Sequence, residues 1–165
     1  CTAGHDTTSS SSSAGLLELI RNPGEMEKLR ADPSLLPNAI DEFIRWSSPV
    51  KHFFRTAAVD TEVAGQAIRA GDNLVMAYPS ANRDERVFDD PFAFRVDREN
   101  ARQHLAFGYG PHVCLGQHLA KLEIRVLFEE LLARFEDFAL AGDPAWVRSS
   151  FVSGLKRMPI TYRTR

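Results

Sequence analysis

The 165-residue sequence is 44% hydrophobic and 25% charged with a formal net charge of −2, the balance of an ordinary globular chain. That charge excludes a general nucleic-acid or anionic-membrane binder. Two cysteines, one of them at position 1, build no disulfide framework and suit a reducing, cytoplasmic setting, and neither a membrane-spanning apolar run nor a signal peptide is visible.

Taken in order, Cys1 to Ser13 closes on five serines. On composition this is a flexible linker, because serine hydroxyls compete for backbone hydrogen bonds. Asn22-Pro23 stops one segment and starts a helix with Pro23 in its first turn and Met26 and Leu29 packing inward. Asp32-Pro33 ends that helix. From Leu35 to Trp46, Leu36, Ala39, Ile40, Phe43 and Ile44 fall at amphipathic helical spacing, with Glu42 and Arg45 together on one face. Alone, such a pair is a surface helix contact worth roughly a few tenths of a kcal/mol.

Beyond Pro49 the pattern turns to short extended pieces. Thr61-Glu62-Val63, Gln66-Ala67-Ile68 and Asn73 to Ala77 predict strands, with turns at Ala64-Gly65 and Ala70-Gly71-Asp72. Ala81 to Arg86 predicts a short helix, and Val87 to His104 an ordered meander rich in charge and phenylalanine. Gln117 to Phe135 is apolar on most sides (Leu119, Leu122, Ile124, Val126, Leu127, Phe128, Leu131, Leu132), the pattern of a helix buried in a larger body. Phe138-Ala139-Leu140 and Pro159 to Tyr162 predict strands near the end. No internal repeat and no second domain emerges.

The chemistry concentrates in Phe107 to Gly116, where three glycines and Pro111 fence Cys114. Glycines let a backbone take positive φ and approach a flat ligand closely, and Pro111 fixes one dihedral. A cysteine at a helix start meets backbone N–H groups and the positive end of the dipole, which favour its thiolate form. A thiolate in an apolar pocket is a soft ligand for a metal, haem iron included. The residues leave alternatives open. Cys114 can be a small buried hydrophobe in an ordinary loop, or a zinc ligand with His104, His112 and His118, although that spacing fits no common zinc pattern. A phosphate loop would end in Gly-Lys-Ser/Thr rather than Cys-Leu-Gly.

Phe107 to Gly116 fills every fixed position of Phe-Gly-x-Gly-x-x-x-Cys-x-Gly, and so resembles the haem-binding signature of the cytochrome P-450 family. The resemblance implies a mainly α fold with small β-sheets, of which Cys1 to Arg165 is the truncated C-terminal, haem-binding portion. It implies haem b with the Cys114 thiolate as proximal ligand, Phe107, Gly108 and Gly116 shaping the loop, and His112 at a propionate. Arg55 resembles the arginine that pairs a propionate; without the resemblance it is an exposed strand arginine.

Ala3-Gly4-His5-Asp6-Thr7-Thr8 resembles the motif of the family's long distal helix, so Cys1 to Ile20 is expected to be helical against its composition. In that motif Ala3 and Gly4 leave a groove for dioxygen, while Asp6 and Thr7 relay protons toward it. Glu42-x-x-Arg45 matches the family's Glu-x-x-Arg helix, whose pair joins a meander arginine in a buried triad; Arg98 is the expected third member and Arg95 the rival. Val50, Phe151 and Val152 map to substrate-pocket segments, with core packing as the plain reading. Gln117, Lys121 and Arg125 map to the proximal face where an acidic iron–sulfur protein docks, or form a solvated charged face.

The resemblance therefore implies a soluble bacterial parent that inserts one oxygen atom from O2 into a C–H bond of a small hydrophobic substrate. Electrons come from a separate ferredoxin and ferredoxin reductase. Ala3 to Ser13, Ser80 to Glu85 and Cys114 to Glu123 look most like terpene-alcohol hydroxylases of the terpineol type. A haem-thiolate sensor or isomerase, and an inert piece that binds no haem, are the other classes.

Overall fold

A computed structural model of the chain describes residues 2–165, with the side chains of Thr2 and Ala3 outside the description. Helix α1 (Thr2–Arg21) is followed by α2 (Pro23–Ala31) and α3 (Leu36–Ser47). Strands β1 (His52–Thr56), β2 (Thr61–Val63), β3 (Gln66–Ile68) and β4 (Asn73–Ala77) lead to a one-turn helix α4 (Tyr78–Ala81). After an irregular meander comes α5 (Gln117–Arg134), then β5 (Phe135–Leu140), β6 (Ala145–Trp146), β7 (Leu155–Arg157) and β8 (Ile160–Thr164). Among the described residues the strands form four separate antiparallel pairs, β1–β4, β2–β3, β5–β8 and β6–β7. No helix among them is long and apolar enough to cross a membrane.

The serine run is helical, not a linker, and the hydroxyls show why. Ser10 Oγ donates to the Asp6 carbonyl at 2.6 Å, Ser12 Oγ to Thr8 at 2.9 Å and Ser13 Oγ to Ser9 at 2.8 Å. Each hydroxyl folds back onto its own helix instead of opening it. Ser11 Oγ lies 3.1 Å from Ser47 Oγ on α3. Small side chains also let the neighbours come close. A Cβ added at Gly15 would stand 2.6 Å from Phe43 Cγ, and one at Gly154 would collide with the Ser10 hydroxyl. Tertiary contact overrides the weak local propensity.

The core forms where α1 (Leu16, Leu19), α2 (Leu29), α3 (Leu36, Ala39, Ile40, Phe43, Ile44), the meander (Phe94, Val96) and α5 (Ile124, Phe128) converge. Phe43 is its centre, with ring centroids 5.9 Å from Phe94 and 4.8 Å from Phe128. Every apolar position expected on α3 is buried. The predicted helix over Ala81 to Arg86 is displaced: α4 ends at Ala81, and the following residues are turns. Asp84 accepts the Arg86 backbone N–H at 3.0 Å, a local bond that competes with helix continuation. On α5 only Ile124 and Phe128 are buried, while Leu119, Leu122, Val126 and Leu127 are exposed in this chain.

Glu42 and Arg45 are far from a surface pair. Both are fully buried, joined by Arg45 Nε–Oε2 at 2.6 Å and Nη2–Oε1 at 2.8 Å. Arg98 Nε reaches the two Glu42 oxygens at 3.3 and 3.2 Å. Arg95 meets Glu42 through its backbone N–H at 3.0 Å and turns its side chain to Asp90. Removing the carboxylate would strand two buried guanidinium groups. Glu42→Ala is expected to destabilise the chain by about 3–5 kcal/mol in urea unfolding. Gly15→Ala is expected to cost about 1–3 kcal/mol by driving a methyl into Phe43, seen as a lower unfolding midpoint without a change in helical content.

Candidate functional site

A cavity of about 700 Å³ opens between the N-terminal turns of α1, the β1 region, the cysteine loop and the start of α5. Its walls bring together Asp6, Thr7, Val50, Arg55, Phe107, Gly108, His112, Cys114, Phe151 and Val152, residues scattered over most of the sequence. Phe53, Tyr78, Ala120 and Ile124 complete a largely apolar lining.

The cysteine loop is built by backbone geometry. Gly108 and Gly110 take φ of +74° and +71°, and Gly110–His112 makes a single 3-10 turn. The Gly108 N–H donates to Leu105 O at 2.8 Å, and the Cys114 N–H donates to Phe107 O at 2.9 Å. The chain therefore doubles back so that Cys114 lies beside Phe107. Side chains are strained at these two φ values whatever the space. The Gln117 N–H, the first of α5, reaches the Cys114 carbonyl at 3.4 Å, so the helix points its positive end at the cysteine. Cys114 is exposed in this chain, unlike the small buried hydrophobe of the plainer sequence reading. The loop lies at the surface, and its neighbours Tyr109 and Leu115 project outward, 86% and 99% exposed.

On the facing wall, α1 presents Asp6 and Thr7. Asp6 is exposed, with Oδ1 3.0 Å from His5 Nδ1, and Thr7 is half-buried. Gly4 lies instead in a neighbouring groove between α1 and α5, with Thr8, Ser12 and Leu127. The Ala3 side chain lies outside the described residues. Gly116 is off the cavity wall; it caps α5, and a Cβ there would sit 4.0 Å from Cys114 Sγ.

Val50, Phe151 and Val152 meet through pairing of two segments distant in sequence. Val50 bridges Val152, and the Lys51 N–H donates to Phe151 O at 2.9 Å. Phe151 packs edge-on to Phe53 at 5.6 Å, and Phe53 to Tyr78 at 6.2 Å. Sequence reasoning passed over both Phe53 and Tyr78. Phe53 alternates with Arg55 on β1 and so shares its face; nothing local marks Tyr78.

Two polar groups, the buried Asn82 and the half-buried Asp41, brace the loop from behind. Asn82 is fully buried, with its Oδ1 accepting the Leu105 N–H at 2.6 Å and its Nδ2 donating to Ser48 Oγ at 2.8 Å. Asp41 Oδ1 lies 3.3 Å from His104 Nε2 and 2.5 Å from Lys121 Nζ. Burial alone would lift the Asp41 carboxyl, but hydrogen bonds from His104 and Lys121 outweigh it and hold the group below its ordinary range.

Among the described residues no three His, Cys, Asp or Glu side chains converge to hold a metal ion. Iron in a macrocycle carries its other ligands with it and asks the protein for a single sulfur such as that of Cys114. The wall suits such a group: a largely apolar cavity with a glycine-bearing loop on one side and Arg55 and His112 among its lining residues.

Comparison with known proteins extends these features beyond the loop. The family model described as cytochrome P-450 matches residues 1–146. Cytochrome P-450-terp from a Pseudomonas species is 52% identical over 98% of this chain and 37% of its own length. Linalool 8-monooxygenase of Pseudomonas putida is 44% identical over 95% of this chain and 38% of its own. The crystal structure of CYP108D1 from Novosphingobium aromaticivorans superposes with a TM-score of 0.93 at 50% identity, covering 99% of this chain and 39% of that one. The chain thus spans about two-fifths of the length of these relatives. With its signature loop, its buried Glu-x-x-Arg cluster and its mainly helical fold, it belongs to the cytochrome P-450 family.

Proposed function

We propose that this chain is the C-terminal, haem-binding portion of a cytochrome P-450 monooxygenase, with Cys114 as the proximal ligand of haem b. The observation that carries the reading is the placement of Cys114 and the Asp6–Thr7 pair on walls of one apolar cavity. Bound there, the haem supplies dioxygen activation and electron transfer. Phe107, Gly108 and Gly116 shape the loop around the sulfur, and Arg55 and His112 bind the propionates.

Asp6 and Thr7 hold and pass protons. A carboxylate open to solvent beside a half-buried hydroxyl links bulk water to the cavity interior. Val50, Phe151 and Val152 contact the substrate and keep its site apolar. The substrate is a small hydrophobic molecule of terpenoid type, a choice supported by the names of the Pseudomonas relatives. Electrons come from a ferredoxin and its reductase, which would dock on the proximal side near Gln117, Lys121 and Arg125. Asp6 and Thr7 favour an oxygenase over a haem-thiolate sensor or isomerase.

One observation favours a second reading for the isolated chain. Cys114 and the α5 residues Leu119, Leu122, Val126 and Leu127 are exposed, so the piece alone is expected to hold haem poorly while the completed protein holds it well. Carbon monoxide added to the reduced proteins tests both. The completed protein is expected to show the red-shifted Soret band of a thiolate ligand, and Cys114→Ser to abolish it. Its absence from the completed protein would overturn the assignment. In the completed enzyme Thr7→Ala is expected to divert reducing equivalents to peroxide, lowering product per NAD(P)H by about tenfold or more, measured as coupling efficiency.

A further inference from the structure

Asp41 follows the core face of α3 into a different environment from its neighbour Glu42. Its Oδ1 receives His104 Nε2 at 3.3 Å and Lys121 Nζ at 2.5 Å. His104 lies on the segment that enters the cysteine loop, and Lys121 on the helix that leaves it. We propose that Asp41 is a positioning residue for the cysteine ligand, one carboxylate oxygen fastening both ends of the loop to α3. The inference rests on the reading of Cys114 as the haem ligand.

The contacts around Phe107 show how the fastening reaches the sulfur. The Ala106 N–H donates to His104 Nδ1 at 3.2 Å, so that nitrogen is the acceptor and Nε2 carries the proton given to Asp41. The His104 ring then lies 5.5 Å from the Phe107 ring, and Lys121 Nζ lies 5.8 Å from the same ring. Phe107 is thus gripped by the two side chains that Asp41 holds. Its carbonyl accepts the Cys114 N–H at 2.9 Å. That bond fixes the backbone at Cys114 and so the direction from which its sulfur projects, and a ligand's orientation tunes how strongly it donates to the metal. His104 and Asp41 are mostly buried, with side chains 3% and 14% exposed, so water does not readily take over their bond, whereas Lys121 is 34% exposed and closes the outer side of the cluster.

A merely structural ion pair would lower global stability and leave the ligand's electronic character alone. The full-length holoprotein separates the two with Asp41→Ala, Asp41→Asn and Lys121→Met. Three readouts apply: the lifetime of the ferrous carbon-monoxide thiolate band in sub-denaturing urea, the haem reduction potential, and amide exchange at Cys114. Each is compared with the global urea midpoint. Asp41→Ala is expected to shorten the thiolate lifetime several-fold, shift the potential and raise Cys114 exchange by about tenfold. Asp41→Asn, which still accepts from His104, is expected to restore part of each. If Asp41→Ala does not fold, Lys121→Met carries the test with smaller changes in the same direction. Unchanged lifetime, potential and exchange, or changes that only track the global midpoint, overturn the proposal. A wild-type protein without the thiolate band instead overturns the reading of Cys114, while exchange at its amide still reports on the fastening.

Discussion

A single buried carboxylate holds the irregular meander of this chain in place. Glu42 binds two guanidinium groups, and those two arginines spend their remaining donors on main-chain carbonyls. Arg45 reaches the carbonyls of Asn82, Pro91 and Ala93, and Arg98 those of Asp89, Asp90 and Ala93. The meander has no sheet ladder to satisfy its backbone, so the arginines do that work from inside. Desolvating three charged groups is costly, and the arrangement holds only because nearly every donor finds an acceptor. The planar guanidinium, with donors in a fixed fork, suits this role as a lysine would not.

From the same helix, α3 serves two sides. Phe43 and Ile44 face the core, and Ile44 also borders the cavity. Asp41 and Glu42, adjacent in sequence, grip the cysteine loop and the meander respectively. Asn82 joins these supports, since its carbonyl takes Arg45 and its side-chain oxygen takes the loop at Leu105. The loop's shape is thereby tied to buried polar contacts on two elements beneath it.

Much of this was legible in the sequence where the signal is local. The period of α3, strands β2 to β4 and the bounds of α5 follow from apolar spacing and turn residues. The cysteine loop was legible because its glycines are required by backbone angles. What escaped depends on partners far along the chain. Local propensity opposes α1, whose serines are tolerated because their hydroxyls bond backward and Gly154 packs on Ser10. The roles of Asp41 and Asn82 come from partners about 20 to 80 residues away. The burial of the core face of α5 was legible, whereas the exposure of its other apolar residues depends on what else surrounds that helix.

The backward bonds of α1 have an effect on the shape of the wall they build. A main-chain carbonyl that also receives a hydroxyl from the next turn shares its lone pairs, and such sharing loosens the helical bond and lets the axis curve. The donors Ser10, Ser12 and Ser13 lie on the same helix just beyond Asp6 and Thr7, and their acceptors are the carbonyls of Asp6, Thr8 and Ser9. Replacing one of these serines by alanine removes such a bond, and so acts on the wall that faces the cysteine without touching the chamber itself.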